Sequence, residues 1–494
     1  MKVHALLSIV VTSLLLAVLA RDVRAQGTAA APPLVTQINN GNWLSPQDAQ
    51  ALVDELYYQR AVHAYMTMLP ALNTIGMRDG SEAVFGSGYN VLPIWKDRMD
   101  SRTWVPTPNA DVIYSMSYLD LKKDGPLVVA APPQVIGMFT DFFQRTITDV
   151  GLVSRDRARG GLYLLLPPDY DGPTPSGYFT FKSSTYNVLL FFRTIMTKGP
   201  NGPDPAPAVV NAERTRVYPL WAPEKVAKAM QFPNGSGRRI NMMYPTDNTY
   251  WTKLKTFVDY EPRRHRSRVA RRARVDWHRA RSTVRAHEQA AGTVEARGRD
   301  GAEDDSGPAT DRPPDGRNKY YTDRQYENIW AGGTAEWLQD GYLDIPQRAA
   351  YFQLAYSSAP AMVMRTLDAG SKYPFTVRDA DGDFLHGANA YRLHLPPNPP
   401  ASLFWAVTSY NITDGTMTEA AQLMPSINAF NTVTKNADGS VDLWFGPAKP
   451  AAAPQANWIQ TVSGRDFLVA VRLYGTGVEF FDQTWKPDDV VKVK

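Results

Sequence analysis

Apolar side chains that alternate with a period of two recur from residue 111 onward, and that alternation restricts the chain to folds built mostly of β-strands. Over residues 111–121, Val112, Tyr114, Met116 and Tyr118 fall on one face, and Ile113, Ser115, Ser117 and Leu119 on the other. The pattern predicts further strands over 126–131, 138–145, 161–167 and 178–183, separated by Pro, Gly and Asp clusters that act as turns. The run VLLFFRTI at 188–195 reads as a buried helix or strand, not as a site. A second strand set is expected at 388–395, 403–410, 440–445 and 466–474, with Ala437-Asp438-Gly439 as a hairpin turn.

Helix precedes each set. Ser45 as N-cap and Pro46 at N1 open a helix over 46–68, on which Leu52, Val53, Leu56, Tyr57, Val62, Tyr65 and Met66 follow helical spacing. A second helical stretch starts near Pro346 and runs through Ala349, Phe352, Leu354 and Met362. The expected fold is mainly β with helical additions (α+β): two antiparallel β-sandwich or jelly-roll-like domains.

Export is the expected fate. Lys2, the uncharged apolar run 5–20 and the small residues Val23 and Ala25 flanking Arg24 have the form of a secretory signal peptide over 1–25, cleaved before Gln26. The apolar run has 16 residues, short of the roughly 20 that span a bilayer, and no later stretch approaches that length. The mature chain is therefore expected in the periplasm or secreted, with no integral membrane segment. It contains no Cys, which excludes disulfides, thiolate catalysis, Cys-ligated zinc and iron–sulfur clusters.

One stretch breaks the pattern. Between Pro262 and Arg317 there are 14 Arg, no Lys and 9 acidic residues, a local charge of +5. Without it the chain has 39 basic and 40 acidic residues, so the +4 overall is local, and a nucleic-acid partner is not indicated. The stretch lacks Leu, Ile, Phe, Met, Tyr and Asn, and cannot offset its ordering entropy by burial. Ile, Phe, Tyr, Met, Asn and Lys share AT-rich codons, while Arg, Ala, Gly and Pro share GC-rich ones. A GC-rich gene read out of frame between two compensating frameshifts, with the frame restored near Asn318, accounts for the composition. A disordered linker and a basic arm for an acidic partner are the alternatives.

Motifs for familiar chemistries are missing: there is no G-x-S-x-G, P-loop, G-x-G-x-x-G or H-E-x-x-H. Asp379-Ala-Asp381-Gly-Asp383 imitates the start of an EF-hand, but Phe384 and Ala390 stand where Gly and Glu are required, so it reads as an acidic turn. Of the histidines, only His63, His386 and His394 lie outside the leader and the Arg-rich stretch, too few for a metal site. No cofactor is indicated. What remains is a set of polar residues among aromatics: Trp95 and Arg98; Asn109, Asp111 and Tyr114; His386, Asn389 and Tyr391; Trp458; and Arg472, which shares a strand face with Ala470 and Tyr474 and could clasp a carboxylate. For each of them taken singly, a turn, a cap or a buried ion pair is the favoured reading.

The same residues carry a family resemblance. Pro108-Asn109-Ala-Asp111-Val-Ile-Tyr114-Ser115, Leu119-Asp120-Leu121, Gly125-Pro126 and Gly161-Leu-Tyr163-Leu-Leu-Leu-Pro167-Pro168 resemble the bacterial domain of unknown function 1254. Asp381-Gly382, His386-Gly387-Ala-Asn389-Ala-Tyr391, Phe404-Trp405, Asn436-Ala-Asp438-Gly439-Ser440, Asn457-Trp458, Arg472-Leu-Tyr474 and Trp485-Lys486-Pro487 resemble domain of unknown function 1214. The resemblance covers 45–258 and 319–494, on either side of the anomalous 259–318. It implies an exported two-domain protein of sandwich or jelly-roll type, compatible with homo-oligomers, and no established reaction. The chain departs from the pattern at Ile113, where a smaller side chain is expected, at His386, where Asp is common, and in the Arg-rich stretch, where ordinary globular sequence is expected.

Two functions compete. One is a metal-independent hydrolase or lyase on a small or polymeric substrate, with Asp111 as base, Tyr114 or His386 as acid and Arg472 holding an anion. The other is a non-catalytic periplasmic ligand-binding or envelope-associated protein, with Asn109, Trp95, Arg98, Asn389, Tyr391, Trp458 and Arg472 around an apolar or sugar-like ligand.

Overall fold

The computed structural model describes residues 43–222, 224, 226–262, 318–330, 333–339 and 341–493. The leader-like stretch 1–25 and the Arg-rich 263–317 lie outside the described residues, together with the expectations placed on them. The described chain divides into two units. One comprises the residues up to Leu69 and those from Pro245 to 262; the other comprises Pro70–Tyr244 and 318–493. In the first, helix α2 (Thr249–Tyr260) buries Tyr250, and Tyr65 meets the Tyr250 ring edge to face at 5.1 Å.

Helix α1 (Pro46–Phe85) starts as expected: Ser45 Oγ accepts the Asp48 amide at 3.1 Å. It then continues past residue 68, through Pro70. A proline inside a helix costs roughly 3 kcal/mol. The turns beyond it bury Ala71, Leu72, Ile75 and Met77 almost completely, which outweighs that cost. Gly80 sets the approach of this helix: a Cβ there would lie 1.9 Å from the Asn241 carbonyl oxygen. Short strand Ile240–Asn241 can therefore pass directly beneath, paired in parallel with Thr103–Trp104.

The N-terminal half of the second unit has eight principal strands: β1 (Val112–Asp120), β2 (Leu127–Ala131), β3 (Val135–Asp141), β4 (Thr146–Val150), β5 (Gly161–Leu166), β6 (Phe179–Lys182), β7 (Asn187–Ile195) and β8 (Arg216–Pro219). They form two four-stranded sheets, ordered β1-β7-β3-β4 and β8-β2-β5-β6. Pairing is antiparallel except between β5 and β6. The predicted strand 138–145 lies earlier, because Gln144 turns at φ +57°. VLLFFRTI is strand, the centre of its sheet. One apolar core joins the sheets, with Leu119, Phe139, Leu190 and Phe192 from one and Val129, Tyr163, Leu165 and Val217 from the other.

In the C-terminal half, α3 (Ile345–Leu354) is capped by Asp344, whose Oδ1 accepts the Gln347 amide at 3.1 Å. The predicted run to Met362 is broken. Pro360 forces Ala359 into an extended conformation, and a separate short turn, α4 (Pro360–Val363), follows. Beyond a small antiparallel pair, Leu338–Gln339 with Tyr342–Leu343, the strands are β9 (Ser371–Lys372), β10 (Phe375–Thr376), β11 (Ala390–Leu395), β12 (Ala401–Asn411), β13 (Ser426–Asn428), β14 (Val441–Gly446), β15 (Trp458–Gln460), β16 (Phe467–Thr476) and β17 (Val491–Val493). One sheet runs β9-β16-β12-β13, with β10 also on β16; the other runs β15-β14-β11-β17. Tyr391, Leu393, Leu443, Phe445, Val469, Val471 and Leu473 make their shared core. Asn436 donates its amide to the Ser440 carbonyl at 2.9 Å, with Gly439 at φ +87°. That turn leads into β14 but does not make the expected hairpin, because residues 431–436 form no strand.

The fold is thus mainly β, in several largely antiparallel sheets, none of them closed. No described helix is long and apolar enough to cross a membrane.

Candidate functional site

β7 and β16 are each flanked on both edges by other strands, and each carries one arginine on the face turned away from its own core. On β7, Phe192 and Leu190 enter the core, so Phe191 and Arg193 point the other way; Tyr114 of β1 and Ile136 of β3 flank Arg193 in register. On β16, Val471 and Leu473 enter the core, leaving Ala470, Arg472 and Tyr474 on the opposite face beside Thr408, Ala406 and Phe404 of β12. Those two faces meet around one cluster. Arg193 is 5% exposed and Arg472 6%.

Two buried guanidiniums cannot shed their charge and are costly without a counter-ion. Neither forms an ion pair among the described residues; the Asp149 carboxyl, on the same sheet face, feels the charge of Arg193 without bonding to it. Arg193 Nη1 donates to the Tyr373 hydroxyl at 3.4 Å, and its Nε is buried without a partner. Arg472 Nη2 donates to the carbonyls of Thr107 at 3.1 Å and Pro108 at 3.3 Å and to the Tyr410 hydroxyl, while its Nε is likewise unpaired. Its guanidinium also lies 5.4 Å from the centroid of the Tyr373 ring.

Tyr373 is the focus of this field. Burial alone would push its hydroxyl up. The charges of Arg193 and Arg472, with hydrogen bonds from Ser371 and Tyr474, more than offset burial and bring it below the ordinary tyrosine value. Ser371 Oγ is 2.6 Å away. Tyr474 goes the opposite way: burial, then the adjacent Tyr373, hold it well above that value. Donors line up in one direction. Asn109 Oδ1 accepts the Asp111 amide at 2.6 Å, so its Nδ2 faces and donates to Tyr474, whose own proton is then free to point elsewhere. Tyr114 rises through burial, moderated by both arginines.

Asp111 is fully buried, and its carboxylate is occupied: Oδ1 accepts from Asn428 Nδ2 at 2.7 Å and Arg98 Nη2 at 3.3 Å, and Oδ2 from Ser426 Oγ at 2.8 Å. Arg98, at φ +75°, also donates Nε to the Ala110 carbonyl at 2.5 Å. These bonds fasten the 107–111 segment to β13, and those of Tyr410, Arg472 and Tyr474 fasten it to β12 and β16. Asp111 thus has an anchoring role, with three of its acceptor positions in use.

A cavity of about 190 Å³ opens beside the cluster, and Tyr373 forms part of its wall. The wall also holds Lys372, whose ammonium burial lowers to about 8 and which donates to the carbonyls of Met362, Val363 and Met364 at 2.8, 3.0 and 2.8 Å.

Comparison with known proteins gives two family matches. Residues 89–219 match a protein family of unknown function, DUF1254, and residues 370–478 match a second, DUF1214. The chain carries both domains. None of the curated proteins compared with it matches. Among solved structures, the VPA0106 protein from Vibrio parahaemolyticus is similar in fold at 15% identity, with a TM-score of 0.52 over 89% of this chain and 100% of that one. An uncharacterized protein from Burkholderia cenocepacia, at 12% identity and a TM-score of 0.40, covers 92% of this chain and 98% of its own.

Neither domain completes the cluster alone. The DUF1254 region supplies Asn109, Asp111, Tyr114 and Arg193; the DUF1214 region supplies Ser371, Tyr373, Tyr410, Arg472 and Tyr474. Of the residues singled out in the sequence, Arg98, Asn109, Asp111, Tyr114 and Arg472 belong to this assembly. His386, Asn389 and Tyr391 form a different one: His386 Nδ1 pairs with Asp466 at 2.6 Å on the surface, and the buried Tyr391 hydroxyl accepts from the His386 amide and Asn389 Nδ2. Trp95 is buried, donating to Thr103 Oγ1 at 2.9 Å, and Trp458 donates to the Gly446 carbonyl at 3.2 Å. The Asp379 motif is the acidic turn expected, its Oδ1 accepting the Asp381 and Asp383 amides. Among the described residues no cluster could hold a metal ion. Sequence reasoning missed Arg193 and Tyr373. The available signal was Arg193 itself, the one charge in an eight-residue run whose other members, Thr194 apart, are apolar.

Proposed function

We propose that the protein is a metal-independent acid–base enzyme of the lyase or hydrolase kind, acting on a small organic anion held by Arg193 and Arg472. One observation carries the reading: two buried guanidiniums without a carboxylate partner converge on Tyr373, a hydroxyl that they acidify. Tyr373 and Tyr474 adjoin, ring edge to face at 5.9 Å, and are pushed apart in acidity, the arrangement that separates a base from an acid. As phenolate, Tyr373 takes the substrate proton, and the arginines stabilise the negative charge left behind. Tyr474, kept protonated, supplies the proton that the departing group needs. Proton transfer from Tyr373 back to Tyr474 then resets the pair. The base is therefore Tyr373 rather than Asp111, and the acid is Tyr474 rather than Tyr114 or His386.

The non-catalytic binding reading uses the same arginines but gives the acidified Tyr373 no task, so we place it second. The two pairs of sheets, each closing on a common core, also support the sandwich form of the fold. Ultraviolet titration of tyrosinate tests the proposal. One tyrosine should ionise below the usual value of about 10, disappear in Tyr373→Phe and move upward in Arg193→Met. Wild-type protein should also catalyse deuterium exchange beside the carboxylate of a small organic acid, and Tyr373→Phe should not. If every tyrosine ionises at or above the ordinary value, the proposal fails.

A further inference from the structure

The cavity beside the cluster says what kind of anion fits, an inference that rests on the two-arginine reading. Its wall is apolar and largely aromatic: Tyr320, Trp330, Met362, Val363, Phe480 and Phe481. Tyr320 and Phe480 stack at 4.8 Å between centroids, 19° apart, which makes one flat, rigid side. Trp330 is fixed by donating Nε1 to Ser358 Oγ at 3.1 Å, and its ring lies 5.9 Å from that of Tyr373. No aspartate or glutamate lines the space, and two cations do, Arg365 and Lys372. Both sit over Phe481, at 5.2 and 5.8 Å from its centroid. Lys372 is not free to grip a ligand, because three backbone carbonyls occupy its ammonium. Asn328 also lines the space, its Oδ1 taken by the Trp330 amide at 3.0 Å. The space offers mainly flat apolar contact, with Arg365 and Lys372 in its wall and Arg193 beyond the wall, donating to the Tyr373 hydroxyl.

We infer that the substrate is a small acid with a single apolar, ring-sized body, its acid group turned toward Tyr373 and Arg193 and its ring held in the aromatic cavity. The space, about 190 Å³ open to the centre of a water-sized body, takes one ring with its acid group.

Isothermal titration calorimetry on the full chain tests the inference with phenylacetate, acetate, phenylacetamide, phenylmethanesulfonate and galacturonate. Phenylacetate should bind about tenfold or more tightly than acetate, since only its ring gains the apolar contact. The sulfonate should bind comparably, and the neutral amide and the sugar acid should bind far more weakly. Phe481→Ala should weaken phenylacetate and leave acetate unchanged, whereas Arg193→Met should weaken both. The comparison among ligands needs no variant, so a poorly folding Phe481→Ala does not blunt it. Acetate or galacturonate binding as tightly as phenylacetate, with the binding lost in Arg193→Met, would overturn the substrate class and leave the anion site standing. Phenylacetamide matching phenylacetate, or no acid binding at all, would overturn both.

Discussion

Asp149 offers the most quantitative handle on this centre. It lies on β4, in register with Met138 of β3, on the side of the sheet that carries Arg193. Its Oδ1 is buried without a hydrogen-bond partner, and Oδ2 accepts only the Ala361 amide at 3.4 Å. Burial, only partly relieved by that amide and by Arg193, pushes the carboxyl from 3.8 up to about 6. The shift of about two units corresponds to about 3 kcal/mol at 1.36 kcal/mol per unit, or about 2 kcal/mol after allowing for solvent screening on the partly open flank. The sign follows from the raised folded-state value. Below pH 3.8 both states carry the proton and there is no penalty. Between pH 3.8 and about 6 the unfolded chain has released the proton that the folded protein still holds, so stability falls across that window and levels off above about 6, where both states are ionised. Asp149→Asn keeps the shape and cannot ionise. Urea unfolding at stepped pH should show the variant matching wild type below pH 3.8 and exceeding it by about 2 kcal/mol at about pH 8. A difference that stays constant across that range would refute the reasoning, because then ionisation is not its source.

Other consequences can be checked separately. Asp111→Asn leaves Arg98 without its buried carboxylate and turns a donor toward Asn428 or Ser426, so unfolding free energy should fall by about 3–5 kcal/mol; a loss below about 1 kcal/mol would remove its anchoring role. Gly80→Ala should cost about 1–3 kcal/mol in a thermal or urea melt, since its methyl group meets the Asn241 carbonyl and not a movable side chain. Resequencing of the gene should reveal two compensating shifts bracketing the codons for residues 262–317, and an unbroken correct frame would show the Arg-rich stretch to be genuine.

Several local features were legible without the structure because local rules govern them. Ser45 caps α1 through bonds within three residues. The turn at Asp438-Gly439 needs only a glycine at positive φ. Asn109, Asp111 and Arg472 stood out as polar residues set among aromatics, yet their roles divided: Asp111 is spent on anchoring, Asn109 orients a tyrosine, and Arg472 charges the centre. His386 looked like their partner only because nothing in a linear chain reports that Asp466 occupies it.

The sequence by itself determined that this chain is built from short, turn-punctuated strands, that it carries two domains of unknown function in order, and that cysteine chemistry has no part in it. Alternation assigns faces only where one face is wet. β16 is buried at all ten positions, so its pattern does not distinguish a core face from a site face. The side on which Arg193 and Arg472 lie, and their meeting at Tyr373, depend on the sheets that pack around β7 and β16. Residues 193, 373 and 472 are brought together by the tertiary fold alone. The physical reason is that the shared cores claim one face of each central strand, which leaves the opposite faces to gather the charges the cores exclude.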